Sequence, residues 1–135
     1  MSKAPIPWLT WRAAPLVVLA FAACRPAPTV AVGAALSASF INAARLAIEE
    51  AWAEGGLPQL DTLLLREMTN AAAPAIGMAE EFVALPGVVA VVGHSNSSAS
   101  LAASQIYNDA EVVQIAPTST APRYSEAGPF SFRLA

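Results

Sequence analysis

The densest chemistry in this chain lies between positions 94 and 100. The run "HSNSSAS" places a histidine, an asparagine and four serines within seven positions. It follows the apolar "VVAVVG" (Val88–Gly93) and leads into "LAASQIY". A second hydroxyl cluster, Thr118, Ser119 and Thr120, sits in "APTSTAP" after another apolar run. Hydroxyls at such junctions can donate to a ligand oxygen. The backbone N–H groups that open a helix attract an anion such as a carboxylate. The same serines can instead cap the helix, and Thr118, Ser119 and Thr120 can bond their own turn.

Other chemistries find fewer residues. His94 is the only histidine and Cys24 the only cysteine, so no metal site and no intrachain disulfide are expected. His94 reads as a loop histidine. It is close to Ser97 in sequence, but no acid orients it and no nucleophile elbow surrounds a serine. Neither a GxGxxG run nor a phosphate-loop lysine occurs, so no cofactor is expected. The chain reads as a binding module, not an enzyme. Its net charge of -3 and lack of a basic run give nucleic acid nothing to hold.

The two hydroxyl clusters can cooperate only if the fold brings them to one edge. Apolar runs at Thr29–Leu36, Asp61–Met68, Val88–Gly93, Val112–Pro117 and Phe130–Ala135 read as strands. Between them lie helical patterns. The first is capped by Ser37 or Ser39, shows Phe40, Ala44, Ala47, Ile48 and Ala51 on one face, and stops at Gly55–Gly56. The second is capped by Thr69 or Asn70, carries Pro74 in its first turn, and faces the core with Ile76, Ala79, Phe82 and Val83. The third starts near Ser97 or Ser98 and shows Leu101, Ala102, Gln105 and Ile106. Strand–helix alternation with continuous apolar strands predicts an α/β lobe, a parallel sheet between layers of helices. Ligands in such folds sit beyond the carboxyl ends of the strands, near the point where strand order reverses. Ser97, Ser98 and the turn Thr118–Thr120 would meet there.

Residues 1–23 differ in kind. Lys3 and Arg12 precede the apolar "AAPLVVLAFAA" (Ala13–Ala23), which describes a secretory signal peptide too short to span a bilayer. "FAAC" resembles the lipobox of bacterial lipoproteins, which makes Cys24 the lipidation candidate. A plain signal cut near Ala23 and a buried N-terminal helix are the alternatives. Residues 24–29 read as a proline-containing tether. Removing residues 1–23 leaves five basic and ten acidic residues, a net of -5.

"GVVAVVGHSNSSASLAASQIYNDAEVVQIAPTSTAPRYSEAGPFSFRLA" resembles the first lobe of branched-chain amino-acid-binding proteins, the type I periplasmic solute receptors of ABC transporters. The likeness rests on Gly93-His94, Ser97-Ser98, Pro117 with Thr120 and Pro122, and Phe132-Arg133. It implies that residues 30–135 are an N-terminal lobe, cut at the hinge of an incomplete clamshell. It implies that Ser97 holds a ligand carboxylate, that Thr120 contacts the amino-acid backbone, and that the Thr118 carbonyl receives the ammonium. Asn96 and Ser119 would line the same edge. The implied partners are a small-molecule ligand, an ABC permease complex and the membrane through a lipid on Cys24. A sensor domain of the same fold and a truncated remnant are the competing readings. Arg66 and Glu67 stand where the family has an acid after the second strand.

Overall fold

Valine- and alanine-rich runs supply strands that can be buried on both faces. In the computed structural model, which describes residues 30–56, 60–67 and 71–135, they form one sheet. Its strands are β1 (Val30–Leu36), β2 (Leu60–Glu67), β3 (Val88–Gly93), β4 (Val113–Ala116) and β5 (Ser131–Arg133). Their order is β2-β1-β3-β4-β5, and every pairing is parallel. The helices are α1 (Ala38–Ala53), α2 (Ala72–Ala84) and α3 (Ser97–Asp109), and a short 3-10 turn (Pro122–Glu126) links β4 to β5. The expected α/β lobe is the observed fold. The signal peptide, the tether, Cys24 and the Thr69 or Asn70 cap lie outside the described residues.

The crossover rule sorts the layers. The step from β1 to β2 runs one way along the sheet, and the steps to β3 and β4 run the other way. Right-handed crossovers then put α1 on one face and α2 and α3 on the opposite face. On that second face the core is Ala35, Val91, Ala75, Ala79, Phe82, Ala99, Ala103 and Tyr107, all fully buried. Gly33 makes room for its centrepiece. A Cβ there would lie 3.1 Å from both the Phe82 ring and a Val91 methyl.

The helix faces match the expectation in part: in α2, Ala79 and Phe82 are buried as expected, and α3 departs most. In α3 the buried residues are Ala99, Ser100, Ala103, Ser104 and Tyr107, not Leu101, Ala102, Gln105 and Ile106. Alanine and serine let the helix approach the sheet closely, and the serine hydroxyls are satisfied in place: Ser104 donates to the Leu101 carbonyl at 2.8 Å. In α2, Ala75 takes the buried position expected for Ile76, which is exposed. In α1, Ile41, Ala44, Ile48 and Ala51 are half-buried, while Phe40 and Ala47 are exposed. This helix buries no residue fully.

Two strands are shorter than their apolar runs, and hydrogen bonding explains both. The Val112 N–H goes to the Tyr107 carbonyl and closes the α3 terminus, and Pro117 has no N–H to continue β4. The Phe130 N–H goes to Asn108 Oδ1 at 2.9 Å, which delays β5.

Phe82→Ala removes the ring that fills the space over Gly33 and should cost about 3–5 kcal/mol. Urea denaturation of the purified chain checks this. A loss below about 1 kcal/mol would mean that the site collapses around the missing ring.

Candidate functional site

Strand order reverses between β1 and β3, the place where such sheets hold ligands. Three chain exits meet there, after Leu36, Gly93 and Ala116, and backbone groups tie them together. The Ser37 N–H donates to Ser95 Oγ at 2.8 Å. Thr118 Oγ1 donates to the Ser95 carbonyl at 3.0 Å. The Ala121 N–H donates to Ser97 Oγ at 3.1 Å. The β3 exit is thus fixed to both of its neighbours.

Gly93 makes that exit possible. Its φ is +152°, and a Cβ would lie 2.6 Å from the Ala35 carbonyl oxygen. The Gly93–His94 peptide is cis. Asn96 then caps α3, its Oδ1 accepting from the Ala99 N–H at 2.9 Å and from Ser98 Oγ at 2.8 Å. Of the first-turn donors, this leaves the N–H groups of Ser97 and Ser98 without a partner in their own helix. Ser97 Oγ accepts from Ala121, so its own proton remains to donate. No acidic side chain occurs in 93–107 or 112–122. The edge therefore offers a helix terminus and hydroxyl protons with no competing carboxylate, an environment that suits an anion.

The structure brings five of the six expected residues to this edge. Asn96, Ser97 and Thr118 are half-buried, and Ser98 and Thr120 are exposed. The Thr120 carbonyl accepts from Arg133 Nη1 at 3.2 Å, while Arg133 Nε donates to Ser125 Oγ at 2.9 Å. Ser119 lies deeper. It is fully buried, and its hydroxyl donates to Ser100 Oγ at 2.8 Å. Arg66, within β2, pairs with Glu81 of α2, its Nε donating at 3.0 Å.

His94 lies in the loop between β3 and α3, as expected, but its side chain points into the core. It is fully buried, its Nε2 is 3.2 Å from the Tyr107 hydroxyl, and the two rings stack with centroids 6.0 Å apart. Burial lowers its pKa to about 4 and raises that of the Tyr107 phenol. Ser95, Ser100 and Gln114 also shape the site and were not singled out from the sequence, and Arg133, read there only as part of the Phe132-Arg133 element, shapes it too. Gln114 carried a usable signal: an amide in an apolar buried strand has to be paired. Its Nε2 donates to the carbonyls of Gly93 and Ser100, both at 3.2 Å. Among the described residues no group of His, Cys, Asp or Glu side chains could hold a metal ion, and no helix is long and apolar enough to cross a membrane.

Comparison with known proteins places this edge in context. A family model described as the receptor family ligand binding region matches residues 41–135. An amino acid binding protein of Pseudomonas aeruginosa is 31% identical over 103 residues, covering 75% of this chain and 27% of that protein. Leu/Ile/Val-binding protein homolog 1 of Brucella abortus is 30% identical over 102 residues, with the same coverage. Among solved structures, an ABC transporter substrate-binding protein from Desulfitobacterium hafniense in complex with Leu superposes with a TM-score of 0.70 at 28% identity. That match covers 78% of this chain and 33% of that one. The chain thus spans 27% of the length of the curated relatives it matches.

The buried imidazole makes a pH prediction. With a folded pKa near 4 and an unfolded value of about 6.5, the unfolded chain binds the extra proton between these limits. His94 burial is fully tolerated above pH 6.5 and costs stability as pH falls towards 4, by about 3 kcal/mol at the end of the window. Urea midpoints measured from pH 7.5 to 4.5 should fall for the native chain and fall less for His94→Asn. Parallel curves for the two would contradict this.

Proposed function

The chain belongs to the family of receptor ligand-binding regions, and from that membership we propose that it captures a small carboxylate-bearing solute, an amino acid, for an ABC importer. Its relatives named above are amino-acid-binding and substrate-binding proteins. The observation that carries the reading is the bond from the Ala121 N–H to Ser97 Oγ. It joins the α3 terminus to the β4 exit, beside the β1–β3 point where strand order reverses.

In this reading the Ser97 hydroxyl and the N–H groups of Ser97 and Ser98 hold the carboxylate. The Thr118 carbonyl takes the ammonium, Thr120 contacts the amino-acid backbone, and Asn96 fixes the helix end. Ser119 supports the edge from below. Binding needs no net positive side chain, because hydroxyls and oriented N–H groups supply the field. A second lobe closing over this edge would exclude water and strengthen every one of these bonds. We further propose that residues 1–23 are a signal peptide, that Cys24 carries a lipid, and that residues 24–29 tether the lobe outside the cytoplasmic membrane. Sensing by the same lobe is the second reading, favoured by the receptor description of the matched family. Permease and ATPase genes beside this one support transport, and a kinase or regulator gene supports sensing.

Ser97→Ala and Thr120→Ala should each weaken L-leucine binding about tenfold, the worth of one or two hydrogen bonds. Their urea midpoints should stay near that of the native chain. NMR titration of the full chain reads the affinities, and unchanged values in both variants would remove these residues from the site. For the anchor, Cys24→Ala should abolish incorporation of labelled palmitate in expressing cells. Labelling that persists would place the lipid elsewhere.

A further inference from the structure

Beneath the edge lies a buried polar junction that the ligand reading does not use. His94, Ser100, Gln114 and Ser119 are all fully buried. Ser100 Oγ is at its centre. It accepts from the His94 N–H at 3.1 Å and from Ser119 Oγ at 2.8 Å, and it lies 3.3 Å from the His94 carbonyl to which it donates. One proton and two lone pairs are all a serine hydroxyl has, and Ser100 uses all three. Gln114 Nε2 clamps the carbonyls of Gly93 and Ser100 from the neighbouring strand.

The spacing gives this junction a purpose. Ser97 and Ser100 are three apart on α3, so they share a face of the helix. Ser97 takes the Ala121 N–H and Ser100 takes the Ser119 hydroxyl. The helix and the β4 exit loop are therefore joined by two rungs, one at the mouth of the site and one in the core. The outer rung is half-exposed at both ends and competes with water. The inner rung is fully buried at both ends, shielded from bulk water, and a hydrogen bond in such a medium is the stiffer constraint.

We infer that Ser100 and Ser119 are positioning residues: their buried hydroxyl pair sets the separation between the α3 terminus and the β4 exit loop, and with it the geometry of the carboxylate seat. Neither touches the ligand. Only the word "carboxylate" rests on the function proposed above; the two-rung arrangement stands without it.

Amide hydrogen exchange on the full, ligand-free chain tests the positioning role, and an L-leucine titration follows it through to binding. In Ser119→Ala and Ser100→Ala the Ala121 N–H should exchange about tenfold faster, the equivalent of one lost buried hydrogen bond. The Ala103 N–H, inside α3, should keep its native rate. Ser100→Thr retains the hydroxyl and should restore slow exchange at Ala121. L-leucine affinity should follow Ala121, falling about tenfold in the alanine variants and recovering in the threonine variant. Equal acceleration at Ala103 and Ala121 would mean that the hydroxyls merely stabilise the fold, and no change at Ala121 would mean that the outer rung holds by itself. Either result overturns the inference. Should Ser100→Ala fail to fold, Ser119→Ala and Ser100→Thr decide the question. A native chain that ignores L-leucine would remove leucine as its ligand, while the exchange rates would still decide the positioning role.

Discussion

A strand buried on both faces has to leave its sheet without abandoning a polar group, and in this chain the whole edge depends on how β3 does so. Gly93 turns at φ +152° so close to Ala35 that no side chain fits. The next residue, His94, goes inward rather than outward. Once a histidine and its peptide are buried, their partners must be buried with them, because an unpaired polar group there costs about 1–3 kcal/mol. Ser100, Gln114 and Tyr107 are those partners. They come from α3 and β4, so satisfying one strand exit also fixes the helix that follows it and the strand beside it.

The exit segments of β3 and β4 carry no charged residue of their own, and buried His94 is held neutral by its low pKa; the one cation described at this edge, Arg133 of β5, is bonded to the Thr120 carbonyl. In the proposed function, attraction for an anion would come from the N–H groups of Ser97 and Ser98 and from the Ser97 hydroxyl, which the bond to Ala121 holds in place. Preorganised donors of this kind lose little on binding, which is the advantage of placing them on a helix terminus braced from below. The same bracing reaches outward through Thr118 and Ser95 to β1 and through Arg133 to β5.

Strands were legible because a sheet covered on both faces demands uninterrupted apolar residues, and "VVAVVG" meets that demand plainly. The meeting of the two hydroxyl clusters was legible for a related reason: alternating strands and helices leave little choice of topology. Helix rotation was not. A reading that gives leucine and isoleucine to the core mistakes α3, whose tight packing on the sheet calls for alanine and serine instead. The loop position of His94 was legible, but its burial was not, since that follows from its partners Ser100 and Tyr107. The start of α3 at Ser97 was legible, but its cap was not: Asn96 reaches the Ala99 N–H and leaves the serines beside it to other work. Ser119 could not be told from Ser97 by composition, and only the alternation of the exit loop sends one inward and the other to the mouth.

The measurement that tests the central claim most directly compares two probes differing in a single group. Nitrogen-15 spectra of the full chain would be recorded with L-leucine and with L-leucinamide, which lacks the carboxylate. Saturable shifts at the Ser97 and Ser98 amides with L-leucine, and none with the amide at the same concentrations, are the predicted result. Equal responses to both probes, or shifts confined to residues away from this edge, would contradict a carboxylate seat at the α3 terminus.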